Sequence, residues 1–223
     1  MSFVVAIDGP AGTGKGTITK ILAKKLKFIE IDTGAMYRCV TLACIRKNIL
    51  PSDEDKIKEL LEKIDINLKH VDGEQRVFLN GEDVSSEIRT PEVDNLVAVF
   101  AALKIVRDKV TPMQRMMGEN DDIIMEGRDI GTVVFPNADV KIFLDCSLEE
   151  RARRRYLQNI EKGINESYEE VLASIKERHK LETEREIAPF IKAEDAIVVD
   201  STNMSIDAVV ETIEKIIKEK KNA

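Results

Sequence analysis

The chain has 223 residues, of which 43% are hydrophobic, so it can bury one substantial core and wholesale disorder is excluded. Its formal net charge of −7 is opposite in sign to that of proteins that hold nucleic acid by bulk charge, and the 4% aromatic content argues against an aromatic RNA-binding surface. Any anionic ligand must therefore be held by a local cluster of cations.

The cysteines and the longest apolar runs indicate where the protein works. Cys39, Cys44 and Cys146 are odd in number and lack metal-ligand spacing, which predicts buried free thiols in a reducing compartment. The N-terminus has no basic segment of a signal peptide, and the longest apolar stretch, residues 96–103, is too short for a membrane span. We expect a cytoplasmic protein that contacts neither membrane nor nucleic acid.

Strand and helix patterns alternate along most of the chain. The apolar run at residues 3–7 predicts a buried strand, followed by a glycine-rich turn and a helix to about residue 27. Further strands are predicted at 28–31, 122–125, 140–144 and 196–199, and further helices at about 34–47, 90–117, 147–162, 168–186 and from 205 onwards. This order predicts an α/β fold with a doubly wound parallel sheet of about five strands.

Local signals refine this picture in three places. Period-two alternation over about residues 64–84, with Asp72-Gly73 and Asn80-Gly81 as turns, predicts a small antiparallel β-meander after a short helix that ends at residue 63. The Thr33 hydroxyl is available to cap the helix that follows it. Residues 147–150 have the pattern of a capping box.

The segment directly after the first strand predicts a phosphate-binding loop. Residues 9–15, GPAGTGK, fit G-x-x-x-x-G-K between a strand and a helix, where backbone N–H groups and the helix N-terminus can surround an anion. Lys15 can reach the β- and γ-phosphates of a nucleotide. Gly16 replaces the usual Ser or Thr, so Thr17 supplies the nearest hydroxyl for Mg²⁺, directly or through water. GKGT is the variant found in nucleoside monophosphate kinases.

A nucleotide site alone leaves the reaction open. No guanine-reading NKxD is present, so a GTPase is excluded; Asp145 could serve as the acid of an ATPase motor, although nothing else suggests a motor. Arg38 and Arg128 follow strands at the edge where open α/β sheets bind ligands, but helix-capping and ion-pair roles are alternatives. The cluster at residues 151–155 is either a phosphate-gripping lid or a charged helix surface. A regulatory module without transfer chemistry is the alternative to a kinase.

Taken together, these motifs closely resemble the bacterial cytidylate kinase family from end to end. The resemblance is most specific in five segments: GPAGTGKGT (9–17), IDTGAMYR (31–38), GEDVSSEIRTPEV (81–93), EGRDIGTVVFPNA (126–138) and KIFLDCSLEERARRR (141–155). It implies a P-loop NTPase-type kinase in a single domain, residues 1–223. Its core would comprise 1–49, 91–150 and 190–223, with a monophosphate-binding insertion at about 50–90 and a helical lid at about 151–188.

The resemblance also implies a reaction and a set of residues. ATP would phosphorylate CMP or dCMP with Mg²⁺, in pyrimidine metabolism, in a monomeric enzyme. ATP would bind Gly9, Pro10, Ala11, Gly12, Thr13, Gly14, Lys15, Gly16, Thr17 and Arg151, and CMP would bind Thr33, Arg38, Arg107, Arg128, Asp129, Arg178, Glu182 and Arg185. The catalytic group would be Lys15, Arg38, Arg128, Arg154, Arg155 and Arg185.

Within these sets the resemblance assigns separate tasks. Arg38, Arg128 and Arg185 would grip the CMP phosphate, Arg107 and Asp129 would read the cytosine edge, and Arg178 and Glu182 would lie near the sugar. This chain departs from the family pattern at Ala98, where a serine is usual, and at residues 178–185, where RHKLETER replaces RDxxDxxR. UMP or AMP as acceptor remains the alternative within the class.

Overall fold

The computed structural model describes residues 2–71 and 74–222. Its strands are β1 (Val4–Asp8), β2 (Ile29–Asp32), β3 (Ile66–Val71), β4 (Glu74–Leu79), β5 (Glu82–Asp83), β6 (Ile123–Gly127), β7 (Val140–Asp145) and β8 (Ile197–Asp200). Its helices are α1 (Lys15–Leu26), α2 (Thr33–Arg46), α3 (Glu54–Lys63), α4 (Pro91–Ala102), α5 (Lys104–Met116), α6 (Leu148–Glu161), α7 (Tyr168–Glu184) and α8 (Ile206–Lys221).

The central sheet has five parallel strands in the order β2-β6-β1-β7-β8, as predicted. β1 is buried over its whole length because both faces of the sheet are covered: α1 and α8 share one apolar cluster with it, and Ile130 and Val134, from the helical turn after β6, pack on the other face. The carboxyl ends of all five strands meet at one edge. The loops that leave this edge form the candidate site.

The predicted meander is a separate antiparallel sheet in the order β3-β4-β5. Val71 pairs with Glu74, and the Asp72-Gly73 turn signal between them lies outside the described residues. Val77 and Leu79 bury their side chains in a cluster shared with α2, α3, α4 and α5. The meander therefore has no core of its own and is anchored to the helices beside the sheet.

One predicted helix is two helices. The prediction of a single helix over about 90–117 is wrong, because Leu103 is extended (φ −71°, ψ 127°) between α4 and α5. The apolar spacing continues across the break, since Ala101 and Val106 lie in the same cluster. Arg107 Nη1 donates to the Ala101 carbonyl (3.1 Å), which satisfies an oxygen at the end of α4.

Two predicted caps are also corrected. Asp32 caps α2 by accepting from the Ala35 N–H (3.2 Å), while the Thr33 hydroxyl donates to the Glu126 carbonyl on β6 (2.6 Å). Ser147 caps α6, but Glu150 does not complete the capping box because its carboxylate pairs with arginines of α6. The complete capping box is at Ser167, on α7.

The three cysteines and the composition of the helices can be compared with the predictions. Cys39, Cys44 and Cys146 are free and buried, and burial raises the pKa of Cys39 to about 12 and that of Cys44 to about 11. None of the described helices has the length and apolar composition that spanning a bilayer requires.

Candidate active site

The loop between β1 and α1 has the geometry of an anion cradle. Gly14, which precedes α1, has a left-handed backbone (φ 88°), and the N–H groups of residues 11–14 donate to no acceptor among the described residues. A Cβ on Gly9 would lie 2.2 Å from the Leu144 carbonyl oxygen, so the loop can pass β7 only with glycine there. Unused N–H groups at a helix N-terminus are the donors that a phosphate requires.

Lys15 is folded onto this loop. Its Nζ donates to the carbonyls of Gly9 (2.8 Å) and Pro10 (2.9 Å), and the side chain is buried. Burial, reinforced by the nearby Arg128, lowers the pKa of Lys15 to about 7. An anion in the cradle would favour the charged form of Lys15, so ligand binding and lysine protonation are coupled here.

Glu126 lies against Gly16, the residue that interrupts the usual motif. A Cβ at Gly16 would lie 3.0 Å from Glu126 Oε1, and burial raises the pKa of this carboxyl to about 7. The hydroxyl that the usual motif places after the lysine is therefore found one residue later, on Thr17, which is exposed on the first turn of α1. No group of three or more His, Cys, Asp or Glu side chains within the described part of the chain could hold a metal. These residues fit Mg²⁺ that arrives on nucleotide phosphates and keeps its waters, with Thr17 as the nearest protein oxygen.

The four arginines of α6 make three kinds of contact. Arg151 Nη1 donates to the Ala11 carbonyl (3.3 Å) and Arg154 Nη1 donates to the Thr13 carbonyl (3.1 Å), so both already contact the anion cradle. Arg153 is exposed and pairs with Glu150, as expected for part of a charged helix surface. Arg155 contacts Asp94 and not the cradle.

A second group of arginines is bridged by carboxylates close to Lys15. Glu182 on α7 accepts from Arg128 Nε (2.8 Å) and from Arg178 Nε (2.9 Å). Burial opposes ionisation of Glu182, but the two arginines hold its pKa at about 2. Glu182 is one methylene longer than the aspartate of the family pattern, and its carboxylate contacts two guanidinium groups at once.

Asp94 on α4 holds three further contacts. It pairs with Arg38, accepts from Arg155 Nη2 (2.6 Å) and lies 4.0 Å from Arg178 Nη1. Arg38 Nη1 also donates to the Ile88 carbonyl (3.1 Å). Arginines from α2, α6 and α7 thus meet at one carboxylate to which the sequence interpretation assigned no role.

The third arginine group is the most deeply buried. Arg107 pairs with Asp129, and its guanidinium lies 5.4 Å from the centre of the Tyr37 ring. Arg185 Nη2 lies 3.8 Å from Asp129 Oδ1 and has no hydrogen-bond partner among the described residues. A buried guanidinium nitrogen without an acceptor is a place where a ligand oxygen or nitrogen fits.

The structure thus groups the predicted arginines into three contact clusters and adds other residues to them. Asp8 accepts from the N–H groups of Ile130 (2.9 Å) and Gly131 (2.8 Å), and this fixes the turn that follows Asp129. Arg89 pairs with Asp32 (2.5 Å) at the edge of the cleft. Asp8, Arg89, Asp94 and Glu126 were missed, although all four lie in or directly beside the segments that carry the resemblance.

Comparison with known proteins decides the family. The profile described as "Cytidylate kinase" matches residues 5–219. The chain belongs to the cytidylate kinase family. The cytidylate kinase of Bacillus subtilis is 47% identical over 216 residues, covering 97% of this chain and 96% of that protein. That of Carboxydothermus hydrogenoformans is 51% identical over 216 residues and covers 97% of each.

Family membership confirms the predicted enzyme class, a kinase that phosphorylates CMP with ATP. The α/β fold class is confirmed by the sheet itself. A solved structure of an uncharacterised protein from Eubacterium ventriosum aligns with a TM-score of 0.52 at 13% identity, covering 98% of this chain and 99% of that chain, which shows similarity of fold alone. Ala98, one departure from the family pattern, is buried on α4.

Proposed function

We propose that this member of the cytidylate kinase family binds ATP at the cradle of residues 9–17 and CMP or dCMP among the neighbouring arginines. The observation that carries the proposal is a charge balance. Among the described residues, Arg38, Arg128, Arg155 and Arg178 form ion pairs with two carboxylates, Asp94 and Glu182, which leaves two positive charges within this group of arginines. A nucleoside monophosphate carries close to two negative charges at pH 7, because its second pKa is about 6.

On the donor side, the free N–H groups of residues 11–14 receive the β- and γ-phosphates. Lys15 exchanges its hydrogen bonds to the Gly9 and Pro10 carbonyls for hydrogen bonds to phosphate oxygens. Arg151 and Arg154 of α6 already contact the loop and can reach the same phosphates. Mg²⁺, carried by ATP and bound near Thr17, neutralises charge on the phosphates. The fixed positive groups do the same for the transferring group in a site that excludes water.

On the acceptor side, Arg38, Arg128 and Arg185 hold the monophosphate, and the Arg107–Asp129 pair faces the base. Thr33 has its hydroxyl engaged by Glu126, so its part in binding is to shape the wall beneath the phosphate. Arg178 and Glu182 flank the sugar. The phosphate oxygen that attacks is already deprotonated, so the mechanism requires alignment and charge neutralisation and no general base.

The proposal includes the division of the chain that the family resemblance implies. Residues 50–90 form the monophosphate-binding insertion, residues 151–188 the lid, and 1–49, 91–150 and 190–223 the core. The free buried thiols support a reducing, cytoplasmic location. The family resemblance supports a monomer.

A panel of acceptors tests the proposal. ADP production is measured with CMP, dCMP, UMP and AMP as separate acceptors at saturating ATP and Mg²⁺. We expect CMP and dCMP to give the highest kcat/KM. If no monophosphate stimulates ADP production, the placement of an acceptor site among the arginines is wrong; if AMP exceeds CMP, the assignment of Arg107 and Asp129 to the cytosine is wrong.

A further inference from the structure

Asp94 occupies the point where cations from three elements converge. Arg38 comes from α2, Arg155 from α6 and Arg178 from α7, and all three guanidinium groups lie within ion-pair distance of its carboxylate. The Asp94 side chain is only 15% exposed, so this anion is held inside the cleft and not on the outer surface. Two carboxylate oxygens facing guanidinium forks present the same pattern that a phosphate would.

The position of Asp94 in α4 does not by itself explain these contacts. An acidic residue in the first turn of a helix interacts favourably with the helix dipole, and both Glu92 and Asp94 do so in α4. Glu92 is exposed and forms no ion pair among the described residues, whereas Asp94 gathers the arginines. Comparing Glu92 with Asp94 therefore separates the general effect of a negative charge on α4 from the specific contact of Asp94 with the arginines.

The arginines at Asp94 serve both halves of the cleft. Arg38 lies on the acceptor side, and Arg155 belongs to the helix whose Arg151 and Arg154 contact the cradle. While Arg155 is paired with Asp94, it is held on the acceptor side. The ion pair between Arg155 and Asp94 links α4, beside the insertion, to α6, beside the donor phosphates.

We propose that Asp94 is a positioning residue that occupies the place of the acceptor phosphate, holding Arg38 and Arg155 together until the phosphate of CMP displaces it. The inference rests on the proposed acceptor site. It makes CMP compete with an internal anion, so that Asp94 weakens acceptor binding while keeping the arginines gathered. Displacement frees Arg155 to turn toward the donor phosphates once the acceptor is in place.

The sign of the effect follows from electrostatics. Without the Asp94 charge, neighbouring guanidinium groups repel each other and bind an incoming anion more strongly. Asp94→Asn keeps the shape of the side chain and removes its charge, so we expect it to bind CMP about three- to tenfold more tightly. Asp94→Glu keeps the charge and is expected to stay within about twofold of wild type.

The test is equilibrium binding of CMP by calorimetry, without ATP, to wild type, Asp94→Asn, Asp94→Glu and the control Glu92→Gln. Inorganic phosphate is titrated as a second probe, because it carries the anion without the base or sugar. Tighter binding of both probes to Asp94→Asn alone supports the proposal. Unchanged or weaker binding of CMP to Asp94→Asn overturns it, as does an equal gain in Glu92→Gln.

Two further measurements keep the result interpretable. Thermal unfolding with and without CMP is recorded for each variant, and Asp94→Ser replaces Asp94→Asn if the latter does not fold. Steady-state kinetics should show the change in the KM for CMP, with the KM for ATP within about twofold of wild type. Failure of the acceptor assignment would appear separately, as a wild-type enzyme that CMP does not saturate.

Discussion

Arg128 Nε donates to Glu182 Oε2 over 2.8 Å, and this contact joins the end of β6 to α7 across the cleft. The same carboxylate holds Arg178, so one buried acid keeps two cations from different elements in place. Because the pKa of Glu182 lies far below its ordinary value, the acid is ionised throughout the neutral range. In the proposed acceptor site, stability and acceptor binding would therefore depend on the same residue.

Glu182→Gln should lower the free energy of unfolding at pH 7 by about 2 kcal/mol, because two partly buried guanidinium groups lose their counter-charge. The depressed pKa of Glu182, about 2 against an ordinary 4.5, means that its contribution is present above pH 4.5 and is lost as the pH falls toward 2. Urea unfolding at pH 7 and at pH 3 should show the difference between wild type and variant shrinking. Glu184→Gln, an exposed change on the same helix, is the control, and an equal loss there would contradict the prediction.

The lowered pKa of Lys15 predicts that the protein takes up a proton when ATP binds. Its pKa of about 7 in the free protein should rise when phosphate replaces the two carbonyls, so at pH 8 binding takes up as much as about one proton. It follows that ATP affinity falls as the pH rises above 7. Calorimetry of ATP binding in buffers with different ionisation enthalpies measures the uptake, and Lys15→Arg, which stays charged, should remove most of it. Uptake that persists unchanged in Lys15→Arg would assign the proton to another group.

Arg38→Ala should affect the acceptor far more than the donor. Loss of a charge-assisted contact to phosphate is expected to raise the KM for CMP at least about tenfold, while the KM for ATP stays within about twofold. Arg46→Ala is the matched control, because Arg46 lies on the same helix and pairs with exposed Glu82 (2.7 Å). Steady-state kinetics with each substrate varied in turn separate the two constants. An equal rise in both would show that Arg38 is not an acceptor residue.

Gly9→Ala should be strongly destabilising, because its Cβ would overlap the Leu144 carbonyl oxygen of β7. We expect a loss of about 2 kcal/mol or more and a large reduction in ATP binding, as the cradle must move. Gly163→Ala places its methyl group in open space and meets only the cost of a left-handed backbone (φ 71°), about 1 kcal/mol. Urea unfolding of both variants tests the difference. Near-equal losses of unfolding free energy in the two variants would mean that β7 shifts easily to make room for the Cβ at residue 9.

Much of the fold could be predicted because its signals are local. A continuous apolar run identified β1, alternation identified the meander, and the glycine spacing placed the cradle between β1 and α1. The helix break at Leu103 was missed because apolar spacing persists on both sides of it. The Thr33 cap was mispredicted because Asp32, one residue earlier, is an equally good capping residue, and only the neighbouring β6 carbonyl draws the Thr33 hydroxyl away.

The family, the strand–helix order and the phosphate-binding loop could be read from the sequence, since each depends on residues that are neighbours in the chain. The sequence also showed that an acidic chain needs local cations: nine of its 13 arginines fall between residues 107 and 185. Tertiary structure alone decided which carboxylate each arginine meets. Residues 38, 94, 155 and 178 come together only when four helices pack, and no local pattern records the ion pairs that such packing creates.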